Sequence, residues 1–134
     1  MPSQSLSSWN SRRSKELDEI EHAHRAVGGT GRGRRYATQQ LNRAYAVLLA
    51  SHFQGACRDL HSECVDAIVD SISPSSLRLI VRRSLSLNRQ LDRGNASPGS
   101  LGSDFKRLGV AVWDKLQSRD SKSTAWNAAL ESLN

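Results

Sequence analysis

The chain has 134 residues and a formal net charge of +6, with 19 lysines and arginines against 13 aspartates and glutamates. This length suits one domain with a core of its own and is too short for two. No apolar run approaches the roughly 18 residues of a membrane span, and residues 1–13 hold no hydrophobic signal core. We therefore expect a cytoplasmic protein with no membrane association, whose basic charge favours an acidic partner such as nucleic acid.

The first predicted element is an amphipathic helix that follows a serine-rich start. We expect residues 1–8 to be frayed and residues 9–134 to form the domain. One face of the predicted helix, at about 100° per residue, is apolar apart from Arg13. Gly28 and Gly29 then end the helix as a C-cap. The predicted inner face consists of Leu6, Trp9, Leu17, Ile20, His24 and Val27.

A long second helix is predicted over residues 36–72, which contain no proline and a single glycine, Gly55. Its apolar arc drifts around the axis between its two halves, so the halves are expected to face different neighbours. Gly55 lies near that changeover and is suited to a bend or to a close helix crossing. The predicted inner positions are Leu41, Tyr45, Leu48, Leu49, His52 and Phe53, then Ala56, Leu60, Cys64, Val65, Ile68 and Ile72.

Three further helices complete the prediction. Ser73 and Pro74 form an N-cap and first-turn pair that starts a third helix reaching Arg93, with Leu77, Ile80, Val81, Ser84, Leu87 and Leu91 inward. Residues 94–103 are rich in Gly, Ser and Pro and are predicted to be a loop. A fourth helix is expected over residues 103–117, burying Phe105, Leu108, Val112, Trp113 and Leu116. A fifth begins near Ser121 and carries Trp126, Ala129, Leu130 and Leu133. With no credible strand, the fold class is all-α: a bundle of about five helices with one long second helix.

The glycine-rich loop after the first helix has the outer spacing of a phosphate-binding P-loop, from Gly28 to Gly33. Arg34 and Arg35 stand where that motif needs Lys and Ser or Thr, so the nucleotide-hydrolase interpretation fails. What remains is a cationic loop, Arg32, Arg34 and Arg35, that either meets phosphates or is a solvated linker.

An arginine stripe is the stronger sign of a polyanion partner. On a continuous third helix Arg78, Arg82, Arg89 and Arg93 project within about 60° of one another, opposite the leucines. Such a ridge is suited to neutralising an RNA phosphate backbone, with salt-dependent affinity. The plainer alternative is an ordinary solvated helix face, and no aromatic residue is interleaved to stack bases.

Two clusters on the long helix were considered as sites. Cys57, His61 and Cys64 share a face, but none of the usual zinc spacings is present, so no metal or other cofactor is predicted. The two cysteines lie roughly 10 Å apart by helix rise and are expected to be reduced thiols. His52, Asp59 and Glu63 share a row, with Arg58 adjacent, and His52 is either a satisfied core histidine or an acid/base group.

The run LNRAYAVLLASHFQGACRDLH, followed by a basic helix and a Trp-bearing last helix, resembles the HEPN superfamily. More narrowly, it resembles the bacterial group labelled RiboL-PSP-HEPN, over about residues 17–134. The resemblance implies a helical bundle that forms a homodimer. In the alternative interpretation, a non-catalytic interaction module, the helical faces contact a partner protein such as a cognate antitoxin. It also implies a metal-independent endoribonuclease of phage-defence or toxin systems, in which His52, Arg58 and Asp59 match site-lining positions.

The catalytic signature of that family is an arginine followed, after four to six residues, by a histidine on a late helix. No arginine of this chain has a histidine at that spacing. The signature is expected just after residues 126–134, so we expect either a piece that ends before the motif or a non-catalytic relative. Without that pair the chain has cations to bind a phosphodiester but no evident group to cleave it. A non-catalytic helical protein-interaction module is therefore the alternative to an RNA-binding domain.

Overall fold

The computed structural model describes residues 3–28, 38–94 and 97–114 of the chain. Within these ranges every regular element is a helix, so the all-α prediction is confirmed. The helices are α1 (Gln4–Ser8), α2 (Ser14–Gly28), α3 (Gln39–Asp70), α4 (Arg78–Ser86) and α5 (Pro98–Lys106). A π-helical turn (Trp9–Arg13) joins α1 to α2, and short 3-10 turns lie at Ser75–Leu77 and Gln90–Asp92.

The N-terminal helix begins earlier than its sequence indicates. Ser3 caps it by accepting a hydrogen bond from the Leu6 amide, and the carboxylate of Glu63 on α3 accepts from the amides of Gln4 and Ser5. These acceptors satisfy N–H groups that a helix start leaves unpaired. The expectation that residues up to position 8 are frayed is therefore wrong for residues 3–8.

The long helix α3 is the centre of the fold and spans Gln39–Asp70, within the predicted range of residues 36–72. The stretch from α1 to α2 packs along one side of it, while α4 packs against another. The 3-10 turn Gln90–Asp92 and α5 cover part of a third side. The predicted inner positions of α3 are mostly half-buried, whereas His61 and Val69, which the periodicity did not select, are fully buried.

The third helix is shorter than predicted. It ends at Ser86, Leu87 is extended, and Asn88 adopts a positive φ of 56°. Beyond this break the Asp104 carboxylate accepts hydrogen bonds from the amides of Gln90 and Leu91 at 3.0 and 2.7 Å, which replaces helical bonding there.

The predicted loop over residues 94–103 is also wrong, because α5 begins inside it. Ser97 is its N-cap and accepts from the Ser100 amide, and Pro98 is in the first turn. This is a standard helix start that the glycine and serine content obscured. The helix predicted over residues 103–117 instead ends at Lys106, before a turn with Gly109 at φ 75°.

The main core cluster lies where α3, the 3-10 turn Gln90–Asp92 and α5 meet. Leu91, Leu101 and Phe105 are buried there, and Cys57, Cys64, Val110 and Val112 pack against them. Leu91 and Phe105 were predicted to be internal, while Leu101 was assigned to a loop. Many of the other positions predicted to be internal are exposed, namely Leu6, Val27, Leu49, Phe53, Leu60, Leu77, Ile80, Ser84, Leu87 and Trp113. The predicted fifth helix, with Trp126, Ala129, Leu130 and Leu133, and Leu116 of the predicted fourth lie outside the described residues.

Candidate functional site

A polar seam joins the N-terminal helix to α3, and Arg13 is its centre. Its guanidinium lies over Gly55 and donates to the Asp59 carboxylate at 2.7 Å and to the His52 carbonyl at 3.3 Å. The side chain of Arg13 is only 11% exposed, whereas that of Asp59 is 47% exposed. The guanidinium covers Gly55, which is buried. A Cβ at position 55 would overlap the guanidinium, so this close packing requires glycine. The sequence predicted either a bend or a close helix crossing at Gly55. The structure has a close crossing, in which Arg13, the charged exception on the first apolar face, packs on Gly55.

His52 and Glu63, the other two residues of the predicted row on α3, also lie in this seam. His52 Nε2 lies 3.0 Å from a Glu16 carboxylate oxygen, at ion-pair distance but without hydrogen-bond alignment. Glu63 accepts from the Ser5 hydroxyl at 2.7 Å, and bonds from α1 hold the pKa of its carboxyl below its usual value. The Arg13, Glu16, His52, Asp59 and Glu63 side chains are thus paired across the interface, an arrangement that holds the two helices together.

Arg58 is not brought to this seam. Its carbonyl accepts hydrogen bonds from the guanidinium of Arg89, in the segment after α4, at 3.3 Å and from the Ser62 hydroxyl at 2.9 Å. The predicted set of His52, Arg58 and Asp59 is therefore split between two sides of α3. Sequence reasoning missed Arg13 and Glu16, and only the interruption of the apolar face by Arg13 signalled the seam.

The four arginines of the predicted stripe do not form one ridge, since α4 ends at Ser86. Three of them bond within the fold. Arg78 donates to the carbonyls of Ile72 and Asp70 at the end of α3, and Arg82 pairs with Asp66. Arg89 binds the Asp92 carboxylate and the Ser62 hydroxyl at 2.7 and 3.0 Å.

Other cations remain available in the described ranges. The guanidinium groups of Arg43, Arg83 and Arg93 have no hydrogen bond or ion pair to another described residue, and all three residues are exposed. Arg107, in contrast, donates to the carbonyls of Ser84 and Leu87 and so caps α4. The loop arginines Arg32, Arg34 and Arg35 lie outside the described residues.

The outward side of α4 carries two large and highly exposed apolar side chains. Leu79 and Ile80 are 74% and 65% exposed, and Leu77, just before the helix, is 45% exposed. Arg78, Val81 and Leu85 are the partly buried positions of this helix. The bonds of Arg78 and Arg82 to α3 set the rotation of α4 in which Leu79 and Ile80 face solvent. Leu77, Leu79, Ile80 and Arg83 are together called the α4 outward face.

Cys57, His61 and Cys64, the cluster that was weighed as a metal site, lie in or against the core. His61 is 1% exposed, its ring meets Phe105 edge-on with centroids 5.5 Å apart, and neither ring nitrogen has a hydrogen-bond partner in the part of the chain that the structure describes. Burial lowers the pKa of His61 and raises the pKa values of Cys57 and Cys64. Both cysteines are free, and as protonated thiols they are poor nucleophiles.

Comparison of the chain with protein-family models, curated proteins and solved structures gives no match. The described helices include none with both the length and the apolar character of a membrane span. Residues 3–28, 38–94 and 97–114 contain no grouping of three or more histidines, cysteines and acids arranged to hold a metal ion.

Proposed function

We propose that this chain is a non-catalytic helical protein-interaction module whose contact surface is the α4 outward face. The observation that carries the proposal is the exposure of Leu79 and Ile80 side by side on a helix that the rest of the fold holds firmly. Contiguous exposed apolar side chains on a small domain are typical of interaction sites. Burying the exposed parts of these two side chains contributes about 3 kcal/mol to binding.

The partner that fits this face is an acidic amphipathic helix. Arg83 lies on the face without a partner of its own among the described residues, and the chain carries +6 overall. An acidic helix would pair with Arg83 while its apolar side covers Leu79 and Ile80. RNA would satisfy Arg83 alone, and a second copy of this basic chain would be repelled.

The test uses a labelled acidic amphipathic peptide, with leucines at helical spacing flanked by glutamates, and fluorescence anisotropy with the 134-residue chain. We expect Leu79→Lys and Ile80→Lys each to weaken binding by about 10-fold, although both add charge that attracts the peptide. Val47→Lys is the matched control, because Val47 is 71% exposed on α3 and lies off the face. Equal binding of a scrambled peptide of the same composition, or unchanged affinity of both variants, would refute the proposal.

A HEPN-like RNA-binding domain is the second candidate. It is supported by the run that carries the resemblance, which lies within the uninterrupted helix α3. It is also supported by Arg43, Arg83 and Arg93, whose guanidinium groups have no partner among the described residues. These cations, with Arg32, Arg34 and Arg35, would contact the phosphate backbone.

The measurement for the second candidate is the affinity for a single-stranded RNA oligonucleotide as a function of salt. Arg83→Ala and Arg93→Ala are each expected to reduce the slope of log K against log salt by about 0.7. Arg82→Ala is the control, because Arg82 is paired with Asp66. A slope that none of these changes alters would exclude this part of the surface as the RNA site.

A further inference from the structure

An apolar stripe runs along α3 at the spacing of a coiled-coil seam. Ala46, Leu49, Phe53, Ala56 and Leu60 follow one another at alternating steps of three and four residues, and they fall within about 80° of one another around the helix axis. Leu49, Phe53 and Leu60 are 40%, 49% and 41% exposed, Ala46 is exposed and Ala56 is half-buried. These five residues are called the α3 stripe. The described part of the fold leaves them open, although their spacing is that of a helix–helix contact.

Part of the α3 stripe is the floor of a slot wide enough for another helix. Leu6 and Trp9 of the N-terminal helix form one wall beside Phe53 and Leu60, and the cavity there has a volume of about 470 Å³. A smaller cavity of about 60 Å³ joins Phe53 to Trp113, so the apolar surface continues beyond the slot. A second helix laid along α3 would cover this surface.

We propose that the α3 stripe binds the α3 stripe of a second copy of this chain, with the two helices antiparallel about a twofold axis. The axis passes α3 between Phe53 and Ala56. Phe53 of each copy then lies over the small Ala56 of the other, and Leu49 of each copy lies beside Leu60 of the other. The same surface thus complements itself, as a contact between identical partners requires.

The order of large and small side chains favours the antiparallel direction. In a parallel pair, Phe53 would lie against Phe53 and Ala56 against Ala56, which puts a crowded layer next to a void. Close packing disfavours both. The antiparallel pair alternates ring and methyl group, and it also places the positive end of one helix dipole beside the negative end of the other.

The net charge of the chain does not oppose this contact as it opposes self-contact at the α4 outward face. All five stripe residues are uncharged, whereas Arg83 belongs to the α4 outward face itself. Within α3 there are two arginines and four acidic residues. Arg43 and Arg58 project about 100° or more away from the centre of the stripe. The basic excess of the chain therefore comes from outside the helix that makes the contact.

The size of the contact predicts a weak dimer. The stripe is about 21 Å long by helix rise, and Leu6, which is 53% exposed, adds its wall to the covered surface. Such a contact falls at the small end of specific interfaces, at roughly 1,200 Å² in total, so we expect association in the micromolar range. The inference does not depend on the proposed function, since the α3 stripe and the α4 outward face share no residue.

Sedimentation velocity of the 134-residue chain over a range of micromolar concentrations is the direct test. The mass is expected to rise from 14.8 kDa towards twice that value as the concentration increases. Leu49→Glu and Leu60→Lys should each weaken self-association by about 10-fold. Val47→Glu and Val47→Lys are the matched controls, because Val47 is 71% exposed on α3 outside the stripe, and they should leave it unchanged. A monomer at every concentration, as expected if another part of the chain or a different protein covers the stripe, would overturn the proposal, and so would equal effects at positions 47, 49 and 60.

Mixing the two stripe variants tests the direction of pairing and also guards against loss of fold. In the antiparallel pair, position 49 of a Leu49→Glu chain lies beside position 60 of a Leu60→Lys chain, so opposite charges meet. The mixture is therefore expected to associate at least 10-fold more tightly than either variant alone, and circular dichroism checks that each variant is folded. A mixture of folded variants that associates no better than the separate chains would refute the antiparallel contact.

Discussion

The effect of Gly55→Ala on the free energy of unfolding is expected to depend on position 13: destabilising when Arg13 is present and stabilising when it is replaced by alanine. On an exposed helix the change would stabilise α3 by about 1 kcal/mol, because glycine is a poor helix former. Here a Cβ at position 55 would lie 2.2 Å from Arg13 Nη1 and 2.9 Å from its Cζ, so the guanidinium must move. Moving it breaks a charge-assisted bond to Asp59 and a bond to the His52 carbonyl, together about 2 kcal/mol. The net expectation is a loss of about 1 kcal/mol.

The same change in an Arg13→Ala background should stabilise the protein by about 1 kcal/mol, since only the gain in helix propensity remains. The assay is urea unfolding followed by circular dichroism, in a cycle of the parent chain, the two single variants and the double variant. The coupling between the two positions is expected to be about 2 kcal/mol. If Gly55→Ala stabilises the protein equally in both backgrounds, Arg13 does not hold the crossing.

Two further predictions concern the buried polar groups beside the core. Asp104→Ala should destabilise the fold by about 3 kcal/mol in urea unfolding, because two amides lose their acceptor, whereas Asp18→Ala, on the exposed side of α2, should cost less than about 0.5 kcal/mol. Burial and the nearby Arg89 hold the pKa of His61 below its usual value of 6.5, so the unfolded chain binds the proton more readily and stability should fall as the pH drops below that value. His61→Leu should flatten the fall in the free energy of unfolding between pH 7.5 and 5.5, whereas the control His22→Gln, at an exposed position, should not. If His61→Leu leaves the fall unchanged, other groups cause it.

The helical class and the presence of one long helix could be predicted because both depend on periodicity over many residues. The bounds of α4 and α5 could not be, because tertiary bonds set them. Asp104 withdraws the amides of Gln90 and Leu91 from a continuing helix, and Ser97 and Pro98 start a helix inside a stretch whose composition indicates a loop. The average composition of a stretch of residues hides single-residue signals such as the Ser97 N-cap.

For the candidate surfaces too, spacing along a helix could be predicted from the sequence, whereas tertiary bonds could not. Sequence spacing identified the row of His52, Asp59 and Glu63, but not that each side chain already has a partner across the seam. The arginine stripe was misplaced because a helical projection assumes one unbroken helix, and because Arg78 and Arg89 bond to main-chain oxygens that no side-chain pattern reveals. Charge in a sequence does not distinguish guanidinium groups that brace the fold from those that face a partner.

The π-helical turn at Trp9–Arg13 has a consequence for how this protein tolerates length changes. On one side of the turn Ser5 is tied to Glu63, and on the other Arg13 is tied to Asp59. A π turn takes up roughly one residue more than an α-helical turn, so the number of residues between these two ties is fixed by the geometry of α3. Removing one residue such as Ser11, although it is exposed, would rewind the turn and swing either Ser5 or Arg13 by about 100° away from its acceptor. Substitutions at that position should be silent, whereas a single deletion should loosen the whole N-terminal helix.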